Sequence, residues 1–204
     1  MWIVSHAQAQ LGFKPEHVIL TGDSAGGHLS VSVAILALLR GFRVPDAILS
    51  SYPVCMINRN RFFPSVLFSM DEEVLSQTFM QFALTCFLRK GGNPDNPVLS
   101  PSAACDEILR GLPHIEMVTA EADSLRDNSI YMLYRLLKAG NTCKMHLMKE
   151  FVHGFHNMDI KLQGIDEYRR ATHYIIALFR QMFTDLANKP VEYEKDFQVI
   201  SEQE

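Results

Sequence analysis

Apolar and polar positions along the 204-residue chain fall into blocks whose period alternates between that of a helix and that of a short buried strand. Residues 2–12 carry a helical pattern that Gly12 closes, and Lys14-Pro15-Glu16 leads from it into residues 18–21, a β-branched apolar run of the kind found in buried parallel strands. Residues 29–39 are apolar on nearly every face, as in a helix packed under a sheet, and this helix is expected to run to about Arg40 and stop at Gly41. Residues 46–51 form a second short apolar run, which a helical crossover makes a strand parallel to the first. After an irregular stretch the rhythm resumes with a strand over 115–120, a helix over 127–139 closed by Gly140-Asn141, and a strand over 143–148. Ile165, Tyr168, Ile175, Leu178, Phe179, Met182, Phe183 and Leu186 then mark a long amphipathic closing helix. The alternation predicts an α/β fold, a mostly parallel sheet flanked by helices.

Residues 55–100 interrupt this rhythm. Arg59-Asn60-Arg61-Phe62-Phe63-Pro64 reads as loop, after which Val74, Leu75, Thr78, Phe79, Phe82, Ala83, Cys86 and Phe87 recur at threes and fours on one helical face. Asp71, Glu72 and Glu73 suit the start of that helix, Arg89 and Lys90 its end, and Gly91 its stop. Six phenylalanines between Phe62 and Phe87 raise contact with a lipid surface. The plainer expectation is that the helix lays its aromatic face on the sheet or on a cap. Residues 91–102, with three prolines, are loop. One domain is expected over 1–188, with 55–100 as an irregular, partly helical insertion and 189–204 as a charged, frayed tail.

Composition narrows the function classes. An apolar fraction of 48% and a charged fraction of 21% are ordinary for a globular domain, and a chain of this length buries roughly 70% of its unfolded surface. A net charge of -4 supplies no basic field for nucleic acid. The first residues carry no secretory pattern and no apolar run reaches a membrane span, so a cytoplasmic location is expected. Cys55, Cys86, Cys105 and Cys143 are widely spaced, with no C-x-x-C pair, as expected of free thiols in a reducing compartment. Eight histidines form no H-x-x-x-H or H-E-x-x-H motif, so no metal is expected.

The chemistry is carried by Gly22-Asp23-Ser24-Ala25-Gly26-Gly27, which stands between the first strand and the long apolar helix. The pattern G-x-S-x-G is common by itself. In a strand-to-helix context it reads as a nucleophile elbow, in which small residues two before and two after the serine, Gly22 and Gly26, let the backbones pass closely and leave Oγ exposed. Asp23, Gly26 and Gly27 are read as shape residues. The Ala25 N–H, next to the nucleophile at a helix N-terminus, is positioned as an oxyanion donor.

The elbow does not stand alone. Arg43-Val44-Pro45-Asp46 with Ser51-Tyr52-Pro53, Asn96-Pro97 with Leu99-Ser100-Pro101, Asp123-Ser124-Leu125-Arg126-Asp127 and His153-Gly154-Phe155 follow it in order. Together these segments resemble the hormone-sensitive lipase branch of the α/β-hydrolases over residues 2–186. The resemblance implies an α/β-hydrolase fold and a triad of Ser24, Asp123 and His153. A serine hydroxyl needs an imidazole to take its proton and a carboxylate to orient that imidazole, and in this fold they follow in the order serine, acid, histidine.

Each assignment has competitors. Ser24 could be an ordinary serine at a helix start. Glu121 and Asp127 compete with Asp123, although Asp127 suits a helix N-cap better. His146 lies inside a strand, where a half-buried structural role is expected, and His156 is an alternative to His153. His28, one turn after Ser24, has packing or capping as its expected role.

The chain also departs from the resembled family. Relatives carry an H-G-G-G-type loop upstream of the elbow that completes the oxyanion hole, and none of the 21 residues before Gly22 resembles it. The family's early strands do not fit there either. The sequence therefore looks like the carboxyl-terminal part of a hydrolase, lacking N-terminal strands and leaving an open edge beside the elbow strand. The expected function is hydrolysis of uncharged carboxylic esters, acylglycerols among them, with a small-molecule ester as partner and no cofactor. The alternative is a non-catalytic ligand-binding or truncated member of the same family. Nothing in the sequence sets an oligomeric state.

Overall fold

The computed structural model describes residues 2–70, 74–88, 92–158 and 166–188. The expected termini of the 74–87 helix (Asp71, Glu72, Glu73, Arg89, Lys90 and Gly91), Ile165 of the closing helix, and the tail 189–204 lie outside the described residues.

Four parallel strands, β1 (Ile19–Asp23), β2 (Ala47–Ser51), β3 (His114–Ala122) and β4 (Cys143–Val152), stand side by side in chain order. Helices α1 (Trp2–Leu11), α2 (Ala25–Leu39), α3 (Gln77–Leu88), α4 (Asp106–Gly111), α5 (Arg126–Lys138) and α6 (Asp166–Ala187) complete the described elements, with 3-10 turns over Pro64–Met70, Pro101–Ala103 and Phe155–Met158. Each strand runs the same way because a helical segment returns the chain between it and the next.

Strand side chains alternate between two apolar layers. Ile48, Ile115 and Met117 face a core built with Val31, Ile35 and Leu38 of α2, Ile108 and Leu109 of α4, and Met132 and Leu136 of α5. Ala47, Leu49, Val118 and Ala120 face the opposite way and meet Ala171, Met182 and Leu186 of α6. Burial on both faces explains why β2 reads as an unbroken buried run.

The structure departs from the sequence pattern at four places. β1 is half-buried rather than buried, because among the described residues it pairs only with β2 and stands at the sheet edge. β4 extends to Val152, beyond the 143–148 run, and its pairing with β3 shifts register between Ala120 and Ala122. The aromatic helix begins at Gln77, and none of its residues is buried: Phe79 is 56% and Phe82 67% exposed. Arg59 ties it down through the Gln81 carbonyl and the Thr85 hydroxyl, and Phe87 sets its ring edge-on to His28. Of the apolar face read as a packing face, Leu75 is buried just before the helix and Phe87 meets His28, while Val74, Phe79 and Phe82 stay exposed. Finally, α5 starts at Arg126 with Leu125 at its N-cap, so Asp127 lies in the first turn, where its carboxylate accepts the Ser65 N–H.

A polar cluster links β3, β4 and α6. Glu116 is buried and accepts from His146 Nε2 at 2.9 Å and from His114 Nε2 at 3.3 Å, with Lys144 Nζ at 3.6 Å. The Tyr174 hydroxyl lies 2.9 Å from His146 Nδ1, so both ring nitrogens have hydrogen-bonding partners. Burial alone would push the Glu116 carboxyl up, but the histidine hydrogen bonds and the nearby positive charge bring it below the ordinary range. A carboxyl with a lowered folded-state pKa stabilises above its unfolded value, about 4.3, and loses that contribution as pH falls through the folded value. Glu116→Gln is therefore expected to lower the melting temperature by about 3–10 °C between pH 5 and 7, a gap that closes in more acid solution. Melting curves of both proteins from pH 3 to pH 7 check this, and a gap independent of pH would refute the ionic account.

Candidate active site

β1 brings the chain to Ser24 at the carboxyl edge of the sheet, where ligands collect in parallel α/β folds, and α2 begins at the next residue, Ala25. Ser24 has φ 50° and ψ -115°, a conformation that strains a side chain by about 1–3 kcal/mol. Its N–H donates to the Ser51 carbonyl at 2.9 Å and its carbonyl accepts the His28 N–H at 3.0 Å. Strand pairing and the first turn of α2 thus fix the serine from both sides.

Glycines make the turn passable. A Cβ on Gly22 would stand 2.5 Å from the Gly26 carbonyl carbon and oxygen and 2.9 Å from the Gly27 nitrogen. A Cβ on Gly27 would stand 2.6 Å from Ser50 Oγ and 3.2 Å from the Gly22 oxygen. At Gly26 a Cβ would meet only Asp23 Oδ1, at 3.9 Å. Gly26 contributes its backbone to the crossing, while the second position that excludes a side chain is Gly27, one residue later than the motif implied.

His153 follows β4 directly and is buried; Asp123 follows β3 and is fully buried. His153 Nε2 lies 3.0 Å from Ser24 Oγ, and Nδ1 lies 2.9 Å from Asp123 Oδ2. The other carboxylate oxygen, Oδ1, accepts the Leu125 N–H at 2.7 Å. An ionised carboxylate can only accept, so Nδ1 carries the imidazole proton and Nε2 is left to accept from the Ser24 hydroxyl. Residues from three strand ends, 129 positions apart at the extreme, are thereby joined by two hydrogen bonds.

The competing residues are engaged elsewhere. Glu121 accepts the Glu150 N–H at 2.9 Å through Oε2, and Asp127 pairs with Ser65 and Arg126. His146 is half-buried on Glu116, the structural role expected of it. His28 is buried; Nδ1 donates to the Val54 carbonyl at 2.7 Å, so Nε2 accepts from the Ser32 hydroxyl at 3.2 Å. Burial lowers its pKa against the raising effect of that carbonyl, which suits a neutral packing residue. His156 faces the Tyr52 hydroxyl, with nitrogens at 2.9 and 3.0 Å, and not Ser24. Among the described residues no group of three His, Cys, Asp or Glu side chains is arranged to hold a metal ion.

Sequence reasoning passed over two residues around this site. Tyr52 was visible only as part of a motif, yet its fully buried ring packs against His153 with centroids 4.8 Å apart. Asn128 caps the chain that leaves the β2 edge, accepting the Cys55 N–H at 2.7 Å and donating to the Met56 carbonyl at 3.1 Å. Neither role has a local signal, since each contact spans more than 70 residues.

The alpha/beta hydrolase fold family matches residues 1–157. The chain belongs to that family. Among curated relatives, the hormone-sensitive lipase of Ictidomys tridecemlineatus is 37% identical over 86 residues, which are 42% of this chain and 11% of the lipase. The carboxylesterase NlhH of Mycobacterium tuberculosis is 28% identical over 183 residues, 84% of this chain and 56% of the esterase. Carboxyl esterase 2 of the fungus Tuber melanosporum superposes with a TM-score of 0.78 at 26% identity, covering 91% of this chain and 59% of that one. The hormone-sensitive lipase resemblance read from the motifs, and the hydrolase fold it implied, are borne out. The chain spans little more than half the length of the two esterases.

Proposed function

We propose that this chain carries the catalytic residues of a serine hydrolase acting on uncharged carboxylic esters, acylglycerols among them. The observation that supports this best is the unbroken contact from Ser24 through His153 to Asp123 in a member of a family that includes carboxylesterases and a lipase. Ser24 Oγ attacks the ester carbonyl carbon while His153 Nε2 takes its proton, and Asp123 stabilises the imidazolium so formed. The tetrahedral oxyanion is met by the Ala25 N–H at the start of α2. Its collapse breaks the bond to the alcohol oxygen, which receives the proton from His153, and leaves an acyl group on Ser24. Water then attacks that acyl group with His153 again as base, releasing the acid. The scheme calls for no cofactor.

The exposed phenylalanines of α3 support apolar substrates and contact with a lipid surface. Free cysteines at 55, 86, 105 and 143 support residence in the cytoplasm. Among the described residues no helix is long and apolar enough to cross a membrane.

A fluorophosphonate tests the reading without presuming a substrate. Incubated with the purified chain and followed by intact mass, it is expected to add one adduct per molecule, mapped to Ser24 and absent from Ser24→Ala. Equal labelling of Ser24→Ala, or none in a chain that melts cooperatively, would overturn it.

A further inference from the structure

A second polar network lies against the first. Tyr52 directly follows β2, with φ 37°, a left-handed conformation that a bulky side chain adopts only when its surroundings over-determine it. The surroundings do so here. The Tyr52 N–H donates to the Val118 carbonyl at 2.6 Å, while the carbonyl of the preceding residue, Ser51, holds the Ser24 N–H. The ring is thus sent into the space beside His153 and Phe155, with centroids at 4.8 and 5.4 Å. Its hydroxyl reaches His156, whose Nε2 lies 3.7 Å from Asp23 Oδ2. The next residue, Asn157, donates to the same Asp23 oxygen at 3.1 Å. Asp23 immediately precedes the nucleophile. His156 and Asn157 lie on the Phe155–Met158 turn, which leaves His153 through Gly154 at φ 74°.

These contacts define a clamp. One end is the residue before Ser24, the other is the turn after His153, and Tyr52 is the bridge whose ring touches the imidazole. We infer that Tyr52 is a positioning residue for His153, held in place by His156, with Asp23 and Asn157 fastening the turn that carries His156. This inference rests on the proposed triad.

The protonation states agree with that geometry. Burial, then the charges of Asp23 and Asp123, push the Tyr52 phenol well up, so it keeps its proton and donates. Burial lowers the His156 pKa; the Asp23 carboxylate raises it, His153 lowers it, and the net direction is down. His156 is then neutral at pH 7, with one bare nitrogen to accept from Tyr52 and one N–H on the other nitrogen. A solvent-facing histidine would have no need of either partner.

The test follows p-nitrophenyl acetate hydrolysis by the full chain and by Tyr52→Phe, His156→Leu, His156→Gln and the double variant Tyr52→Phe/His156→Leu. Tyr52→Phe keeps the ring and loses the anchor. Misplacing a base by a fraction of an ångström to 1 Å costs up to 10²-fold, so kcat is expected to fall roughly tenfold with KM unchanged and melting within a few degrees of the parent. His156→Leu is expected to match it, and His156→Gln, which restores an acceptor for the hydroxyl, to recover most of the loss. If both residues act through one contact, the double variant loses no more than either single one. Unchanged kcat in the single variants, a loss of roughly 10²-fold in the double variant as the product of two independent tenfold effects, or an equal loss in His156→Gln and His156→Leu would each overturn the clamp. Turnover that survives Ser24→Ala would instead remove the triad itself and the clamp with it, so the two failures are told apart by that control.

Discussion

Asp123→Asn is expected to lower kcat for a simple ester by about 10⁴-fold while leaving the fold intact. The size of the effect follows from which groups surround the carboxylate. Oδ1 accepts the Leu125 N–H at 2.7 Å and Oδ2 accepts from His153 Nδ1 at 2.9 Å, in a site closed to water. An asparagine has one acceptor and one donor end, and the Leu125 N–H, a donor that cannot turn away, selects the oxygen. The amide NH₂ must then point at His153 Nδ1. Two donors cannot face each other at that distance, so the imidazole shifts its proton to Nε2, where it meets Ser24 Oγ and can no longer take the hydroxyl's proton. Charge loss adds to this, since an imidazolium formed during attack has no buried anion beside it. Kinetics of Asp123→Asn beside Asp123→Ala test the account. The alanine variant lets water enter and leaves the tautomer free, so the asparagine variant should be no better and can be worse. Retention of activity within tenfold in Asp123→Asn would show that Asp123 does not orient the base.

The His153 tautomer is held through the Leu125 backbone N–H, which no side-chain pattern in the sequence marks. Asp123 and His153, the proposed acid and base, could be picked from motif and order, because each follows a strand that the sequence pattern marks. That Leu125 fixes the acid's orientation appears only once the turn after β3 is built. The same division runs through the molecule. The central strands β2 and β3 were legible as apolar runs because most of their residues are buried, and helix ends at Gly12, Gly41 and Gly140 were legible because all three take positive φ. The far end of β4 was not, since Lys149 and Glu150 are polar and Glu150 itself has φ 65°, where the ladder with β3 shifts register. The Pro64–Met70 turn and the short helix α4 gave no periodic signal, being too short to show one. For α3 the period was right and the inference from it was not: a phenylalanine stripe predicts a buried face only if something packs on it. Tyr52 was illegible for a different reason. Its contact with His156 spans 104 residues, and no local pattern encodes a distance of that kind.

Gly22→Ala is expected to unfold the elbow rather than to slow it. The added Cβ would lie 2.5 Å from two backbone atoms of Gly26 and 2.9 Å from a third in Gly27, none of which can swing aside as a flexible side chain would. Relief requires α2 to move away from β1. That movement would break the Ser24 N–H bond to Ser51 and unseat Val31, Ile35 and Leu38, which form much of one core layer. Overpacking a core with one methyl costs about 1–3 kcal/mol when side chains can adjust, and a clash against backbone falls at or beyond the upper end. A loss of roughly 3 kcal/mol corresponds to about 6–12 °C in a domain of this size. Ser24 is affected twice, because its strained φ and ψ persist only while strand and helix hold it from both sides. Fluorophosphonate labelling of Gly22→Ala is therefore expected to be lost below the new melting point as well as above it. Gly26→Ala is the internal control. Its Cβ would find only Asp23 Oδ1 at 3.9 Å, ordinary contact, so its stability and labelling should stay near those of the parent. Thermal melts of the two variants side by side decide the matter. Equal tolerance at both positions would mean that the backbones of β1 and α2 do not pass as closely as 2.5 Å implies, and equal damage would mean that the helix start, not the crossing, is the constrained element.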